Sequence, residues 1–215
     1  MSELQSTAAT NGENQTKKVR QAIIAKIATV PGMPSSSARI IGMLQDPDIE
    51  IADLVSALEY DPGLTANMLR WANSAYFGGR HEILSVRDAV VRLGMRRMNQ
   101  LIMTSIAAPV VGQPIRGYDL PPGRLLEHSI AVAIGTGELA KELNVQLPET
   151  AFTAGLLHDI GKVVLGMFVE IASEPILALA QEKGIPFNDA ERQILGVDHG
   201  EVGALLLERW NLPNT

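Results

Sequence analysis

A histidine and an aspartate stand side by side at His158-Asp159, inside the apolar run Phe152 to Val164, which reads FTAGLLHDIGKVV. An ionised carboxylate in apolar surroundings has to be paired, metal-bound or neutralised, and an imidazole there needs its ring nitrogens satisfied. The pair therefore asks for a third party. The chain has only four histidines, and two of the others, His128 and His199, fall on segments whose apolar stripes predict buried helix faces. Neutral imidazoles and an ionised carboxylate converging from separate elements can hold a divalent ion. Such a donor set suits iron, manganese, nickel or zinc better than calcium. The competing reading makes each histidine a core residue bonded to a backbone carbonyl, and pattern alone leaves the two readings level.

Other residues that could do chemistry have blander contexts. His81 lies in a break between helices and reads as a surface residue, while Arg87, Arg92, Arg96 and Arg97 read as a solvated face. Gly78-Gly79 is followed by no Lys-Ser/Thr pair of the phosphate-loop kind, and neither Ser74 nor Ser129 has a nucleophile's setting. Met95, Met98 and Met103 read as core filling. The absence of cysteine excludes disulfides, thiolate nucleophiles and cysteine-based zinc sites. With 18 basic against 24 acidic residues and a net charge of -6, neither nucleic acid nor an anionic membrane is the expected partner. Met1 to Thr16 is polar, unlike a signal peptide, and no apolar run is expected to reach the length of a spanning helix. The expectation is a soluble, cytoplasmic protein.

The elements that must position these residues are helices. Hydrophobic residues make up 46% of the 215 and aromatics only 4%, so aliphatic side chains must fill the core. Residues 1–16 are rich in Ser, Thr, Asn and Gln and predict a loose tail. Val19, Ile23, Ile24 and Ile27 then mark an amphipathic helix that stops at Val30-Pro31-Gly32. Ser35 to Ser37 offer cap oxygens to a helix through Ile40, Ile41 and Leu44. A helix over about Ile51 to Tyr60 follows, and Asp61-Pro62 opens the next, through Ala75. Ser85 and Asp88, at capping-box spacing, start a helix that Gly94 can stop, and another runs from about Arg96 to Ala108.

Pro109 to Gly123 holds four prolines and three glycines and predicts the boundary between two lobes, about 17–110 and 122–215. Beyond it, one helix from about Pro122 to Asn144 carries His128. A second opens at Pro148-Glu149, carries His158 and Asp159, and can end at Gly161 in a left-handed cap. Helices over Phe168 to Lys183 and near Asn188 to Leu195 come next. Asp198 and Glu201 cap a last helix on which His199, Val202, Gly203, Leu206 and Trp210 share a face. The fold class expected is all-α.

Several of these segments carry a family resemblance that covers the chain from Ile27 onward. VPGMPSSSARIIGMLQDPDIEIADLVSALEYDPGLTANMLRWANSAYFG, with its Asp61-Pro62, Leu69 and Asn73-Ser74, resembles the N-terminal half of the HDOD family. RLGM at Arg92 to Met95, GLLHDIGKVVL at Gly155 to Leu165 and DHGEVGALLLERWNLP at Asp198 to Pro213 resemble that family's other signatures. The resemblance implies a two-lobed helical domain of a bacterial signalling or regulatory protein, related to HD-type metal-dependent phosphohydrolases and mostly without their activity. It matches His128 to the first histidine of the HD superfamily, His158 and Asp159 to the His-Asp pair, and His199 to a following histidine of the HD-GYP branch. Lys162 matches a phosphate-contacting lysine, and Glu191 answers to a further acidic ligand. The chain departs from the active pattern, having no His-His pair and Asp119 where a Gly-Tyr-Pro motif would place proline.

Two functions are compatible with this. The first is a non-catalytic signalling module that binds protein partners, with the His/Asp residues as a metal or ligand site. The second is a phosphohydrolase acting on a nucleotide or cyclic dinucleotide, in which a bound ion generates hydroxide and Lys162 steadies the phosphate.

Overall fold

The computed structural model describes residues 2–30, 32–78, 81–148 and 150–212, with side chains from residue 14 onward. In chain order the helices are α1 (Ser2–Ile27), α2 (Ser35–Leu44), α3 (Ile51–Glu59), α4 (Pro62–Ala72), α5 (Val86–Val111), α6 (Arg124–Glu142), α7 (Ala151–Leu157), α8 (Gly161–Lys183), α9 (Phe187–Leu195) and α10 (His199–Arg209). A short 3-10 turn, Arg116–Tyr118, precedes α6. Among the described residues the only β pairing is an isolated bridge between Ile115 and Leu120, so the chain is all-α as its punctuation predicts. The chain divides into two compact units. One gathers the described residues among 1–31, 113–125 and 158–209, and the other those among 32–112, 126–157 and 210–215.

The second of these units is built on α4 and α5, with α2, α3 and α7 packed around them. Its core is aliphatic, with Ile40, Leu54, Leu58, Met68, Met98, Leu101 and Ile102 almost fully buried and Phe77 the one large ring among them. Local caps fix where its helices begin. The Asp61 carboxylate accepts the Leu64 amide at 2.9 Å ahead of Pro62, and the Ser85 hydroxyl accepts the Asp88 amide at 3.0 Å. The serine run before α2 behaves differently. Pro34 takes the N-cap position, and the Ser36 hydroxyl instead donates to Asp61 at 2.7 Å. Gly94 does interrupt α5, at φ 71° and ψ 165°, a conformation that L side chains resist. Pro109, expected to end that helix, lies inside its last turn. After α4, Asn73 acts as a clip: its side-chain amide donates to the Ile83 carbonyl at 2.9 Å while its oxygen accepts the Ile83 amide at 2.8 Å.

The other unit is organised around α8, which packs against α9, α10, α1 and the 3-10 turn. Val164, Leu165, Val169, Ile176, Ala190, Leu195, Val202 and Leu206 are buried there, with Ile23 and Ile27 from α1. Helix α1 begins well ahead of the periodic stretch at Lys17 and runs through the segment expected to form a loose tail. No proline interrupts Ser2–Ile27, and its Ala, Glu, Gln and Leu residues sustain a helix that Ser and Asn alone would not favour. Left-handed C-caps at Gly184 and Gly196 end α8 and α9.

Two further expectations need correction. Gly161 does not end the helix carrying the His-Asp pair; α7 stops at Leu157, His158 to Ile160 form a turn, and Gly161 opens α8. And the stretch Ala151–Lys183 is long and apolar enough by composition to cross a membrane, although no run of that kind was expected. That stretch contains the 158–160 turn and the buried, charge-paired Asp159.

Candidate metal centre

The His-Asp pair lies in the turn between α7 and α8, and two glycine contacts explain how the α8 unit builds a site around it. A Cβ on Gly161 would lie 1.9 Å from the His199 carbonyl oxygen and 2.5 Å from the Gly203 nitrogen, so α8 and α10 meet backbone to backbone. That contact sets the start of α10, and with it His199, against the Asp159 turn. On the other flank, a Cβ on Gly117 would lie 2.0 Å from the Gly166 carbonyl oxygen. The 3-10 turn can thus lie flat on α8 and bring Tyr118 in.

Asp159 is the centre, only 3% exposed. Its Oδ2 lies 2.7 Å from the Lys162 ammonium and 3.2 Å from His158 Nε2, and its Oδ1 lies 3.4 Å from His199 Nε2. Burial works to raise the Asp159 carboxyl, but hydrogen bonds from His158 and Lys162, together with the Lys162 charge, outweigh it and hold the group well below the usual carboxylate range. Part of the third party that the sequence asked for is therefore Lys162, one turn further on.

Behind His199 stands Glu191, fully buried on α9. Its Oε2 accepts the His199 backbone amide at 3.0 Å and contacts His199 Nδ1 at 2.7 Å, while its Oε1 accepts the Tyr118 hydroxyl at 2.5 Å. Glu191 thus reaches Asp159 through His199. Burial, and then the negative charge of Glu191, push the Tyr118 phenol well above its ordinary range, so its hydroxyl stays a donor. The Tyr118 ring also lies 5.6 Å from the Lys162 ammonium, within cation-π range. Asp198 accepts the Glu201 amide at 2.8 Å, the expected N-cap of α10, and pairs with Arg192.

The histidines are less enclosed than the sequence suggested. His158 is exposed, with 35% of its side chain accessible, and His199 retains 18%. His128 is exposed on α6 and belongs to the other unit. His81 is exposed, as expected. The residues the sequence missed are Tyr118, which sat in the segment read as the boundary between two lobes, and Glu191 in its role behind His199. The signal that could have found the first is the pair Gly117 and Gly166, small residues where two backbones touch.

Two imidazole nitrogens facing a single buried carboxylate form a mixed nitrogen and oxygen donor set, and its chemistry fits a borderline divalent ion. The chain thus joins an all-helical fold to a His-Asp turn, a lysine one turn later and a carboxylate-held histidine. The family model for the HDOD domain matches residues 30–215, and the chain belongs to the HDOD family. Among solved structures it is similar to an HDOD domain protein of unknown function from Geobacter sulfurreducens, with 31% identity, a TM-score of 0.71 and coverage of 91% of this chain and 66% of that one. It is also similar to a Shewanella amazonensis SB2B protein that carries the provisional description phosphohydrolase, with 33% identity, a TM-score of 0.68 and coverage of 89% and 67%. An uncharacterized protein of Treponema pallidum (strain Nichols) is 30% identical over 205 residues, which make up 94% of this chain and 39% of that protein. The chain therefore spans well under half of that relative.

Proposed function

We propose that the chain is a non-catalytic regulatory module of the HDOD family, working in the cytoplasm through protein partners, with a divalent ion at His158, Asp159 and His199. The carrying observation is that both imidazole Nε2 atoms face the two oxygens of one buried carboxylate, at 3.2 Å and 3.4 Å. The family resemblance adds His128 as a fourth ligand. When bound, the ion supplies charge that offsets the desolvation of Asp159 and ties the α7–α8 turn to α10.

Hydrolysis of a nucleotide or cyclic dinucleotide is the second reading, and the phosphohydrolase description of the Shewanella relative favours it. Against it stands the lysine. Lys162, the residue that would steady a phosphate, is bonded to Asp159 at 2.7 Å and only 20% exposed. The test is metal analysis of the purified protein and of single alanine variants. His128→Ala, His158→Ala, Asp159→Ala and His199→Ala should each lower metal content, and His81→Ala should not. Full occupancy in His199→Ala, with none in His158→Ala, would replace the proposed site by a smaller one at the His-Asp pair. Phosphate release that disappears in Asp159→Ala would favour the hydrolase.

A further inference from the structure

A histidine binds a cation only through a nitrogen that carries no proton, and in the neutral ring the two nitrogens differ: one donates, the other accepts. Around His199 the two sides of the ring meet different groups. Nδ1 lies 2.7 Å from Glu191 Oε2, on a carboxylate that is fully buried. Nε2 lies 3.4 Å from Asp159 Oδ1. Both neighbours are acceptors, so one ring proton has two places to go.

The surroundings favour one of them. Glu191 Oε2 also accepts the His199 backbone amide at 3.0 Å, which aligns that oxygen with the ring edge. Its other oxygen is held by the Tyr118 hydroxyl, so the carboxylate cannot rotate away. Asp159 has other donors in the Lys162 ammonium and His158, and its contact to His199 is the longer one.

We infer that Glu191, locked by Tyr118, is a positioning residue that holds the His199 proton on Nδ1 and leaves the Nε2 lone pair directed at Asp159. His199 becomes a ligand because of Glu191 and not through its own chemistry alone. Buried carboxylates behind metal-binding histidines do this generally. The consequence for metal affinity rests on the proposed ion site, whereas the tautomer does not.

Two-bond proton–nitrogen correlation spectra of the 15N-histidine-labelled full chain, in EDTA at pH 8, report the proton's place directly. Wild type should show His199 with Nδ1 protonated and Nε2 bare. E191A should move the proton to Nε2 and weaken nickel(II) binding, measured by calorimetry, by about 10- to 100-fold. E191Q, whose amide oxygen can still accept from Nδ1, should keep the wild-type tautomer. A wild-type ring protonated on Nε2, or on both nitrogens, would overturn the inference, as would an unchanged tautomer in a folded E191A. The wild-type spectrum decides even if E191A does not fold. Absence of nickel binding to wild type with the Nδ1 tautomer in place would count against the ion site and leave the role of Glu191 standing.

Discussion

Replacing Gly161 by alanine tests the claim that a backbone contact builds the site. The added methyl would sit 1.9 Å from the His199 carbonyl oxygen, about 1.5 Å short of ordinary contact, and the obstacle is backbone that no side-chain rotation can clear. Either α10 moves off α8 or the start of α8 distorts. Overpacking of this kind costs about 1–3 kcal/mol, and for a chain of this size each kcal/mol lowers Tm by about 2–4 °C. Thermal unfolding followed by circular dichroism should therefore show Gly161→Ala melting several degrees early. The same shift carries His199 away from Asp159, so nickel(II) binding should weaken as well. Gly135→Ala is the matched control. That glycine is exposed on α6 with nothing within 4 Å of the new Cβ, so alanine should leave stability unchanged or raise it by up to about 1 kcal/mol. A Gly161→Ala protein that melts at or above the wild-type temperature would refute the close-contact argument.

Two other substitutions probe the second unit. Asn73→Ala removes both bonds that clip the loop to Ile83, and leaving that partly buried backbone pair without its partner should cost about 2–3 kcal/mol in denaturant unfolding, whereas an exposed surface change would cost almost nothing. Asp61→Ala removes the N-cap of α4 and the acceptor for Ser36, a loss of about 1 kcal/mol. Bonds from the Leu64 amide and Ser36 hold the Asp61 carboxyl below its usual value, so its contribution is present above about pH 4 and is lost as pH falls through the lowered folded-state value. The stability gap between wild type and Asp61→Ala should accordingly close in acid; a gap that is constant from pH 7 to pH 2 would contradict this.

What the sequence disclosed and what it hid divide along chain distance. The caps at Asp61, Ser85 and Asp198 were legible because each bonds an amide three residues ahead, which spacing alone reveals. The caps offered by Ser35 to Ser37 were not realised, because Ser36 bonds a residue 25 positions away that no local pattern contains. Adjacency made His158-Asp159 visible. The lock behind His199 was not, since Tyr118 and Glu191 lie 73 residues apart and the tyrosine sits in a stretch whose prolines and glycines read as a lobe boundary. Gly161 was misread for a related reason. A glycine near a helix end suggests a left-handed cap, but this one is needed for a neighbour that arrives at residue 199.

The α8 unit is assembled from three separated pieces of chain, and its seams are long: Arg20 pairs with Glu201 across 181 positions, and the Arg209 guanidinium donates to the Ile27 carbonyl across 182. On the ribosome, α1 therefore emerges long before anything exists for Ile23 and Ile27 to pack against. Contacts of such separation form slowly, because a large loop must close before they stabilise the chain. Helix α1 must wait, with its apolar stripe wet, until α8, α9 and α10 have been made. A chain stopped before Glu201 would contain His158 and Asp159, yet it would have nothing to fasten α1 to α10. Completion of this unit, and of the site within it, thus signals that translation has passed residue 209.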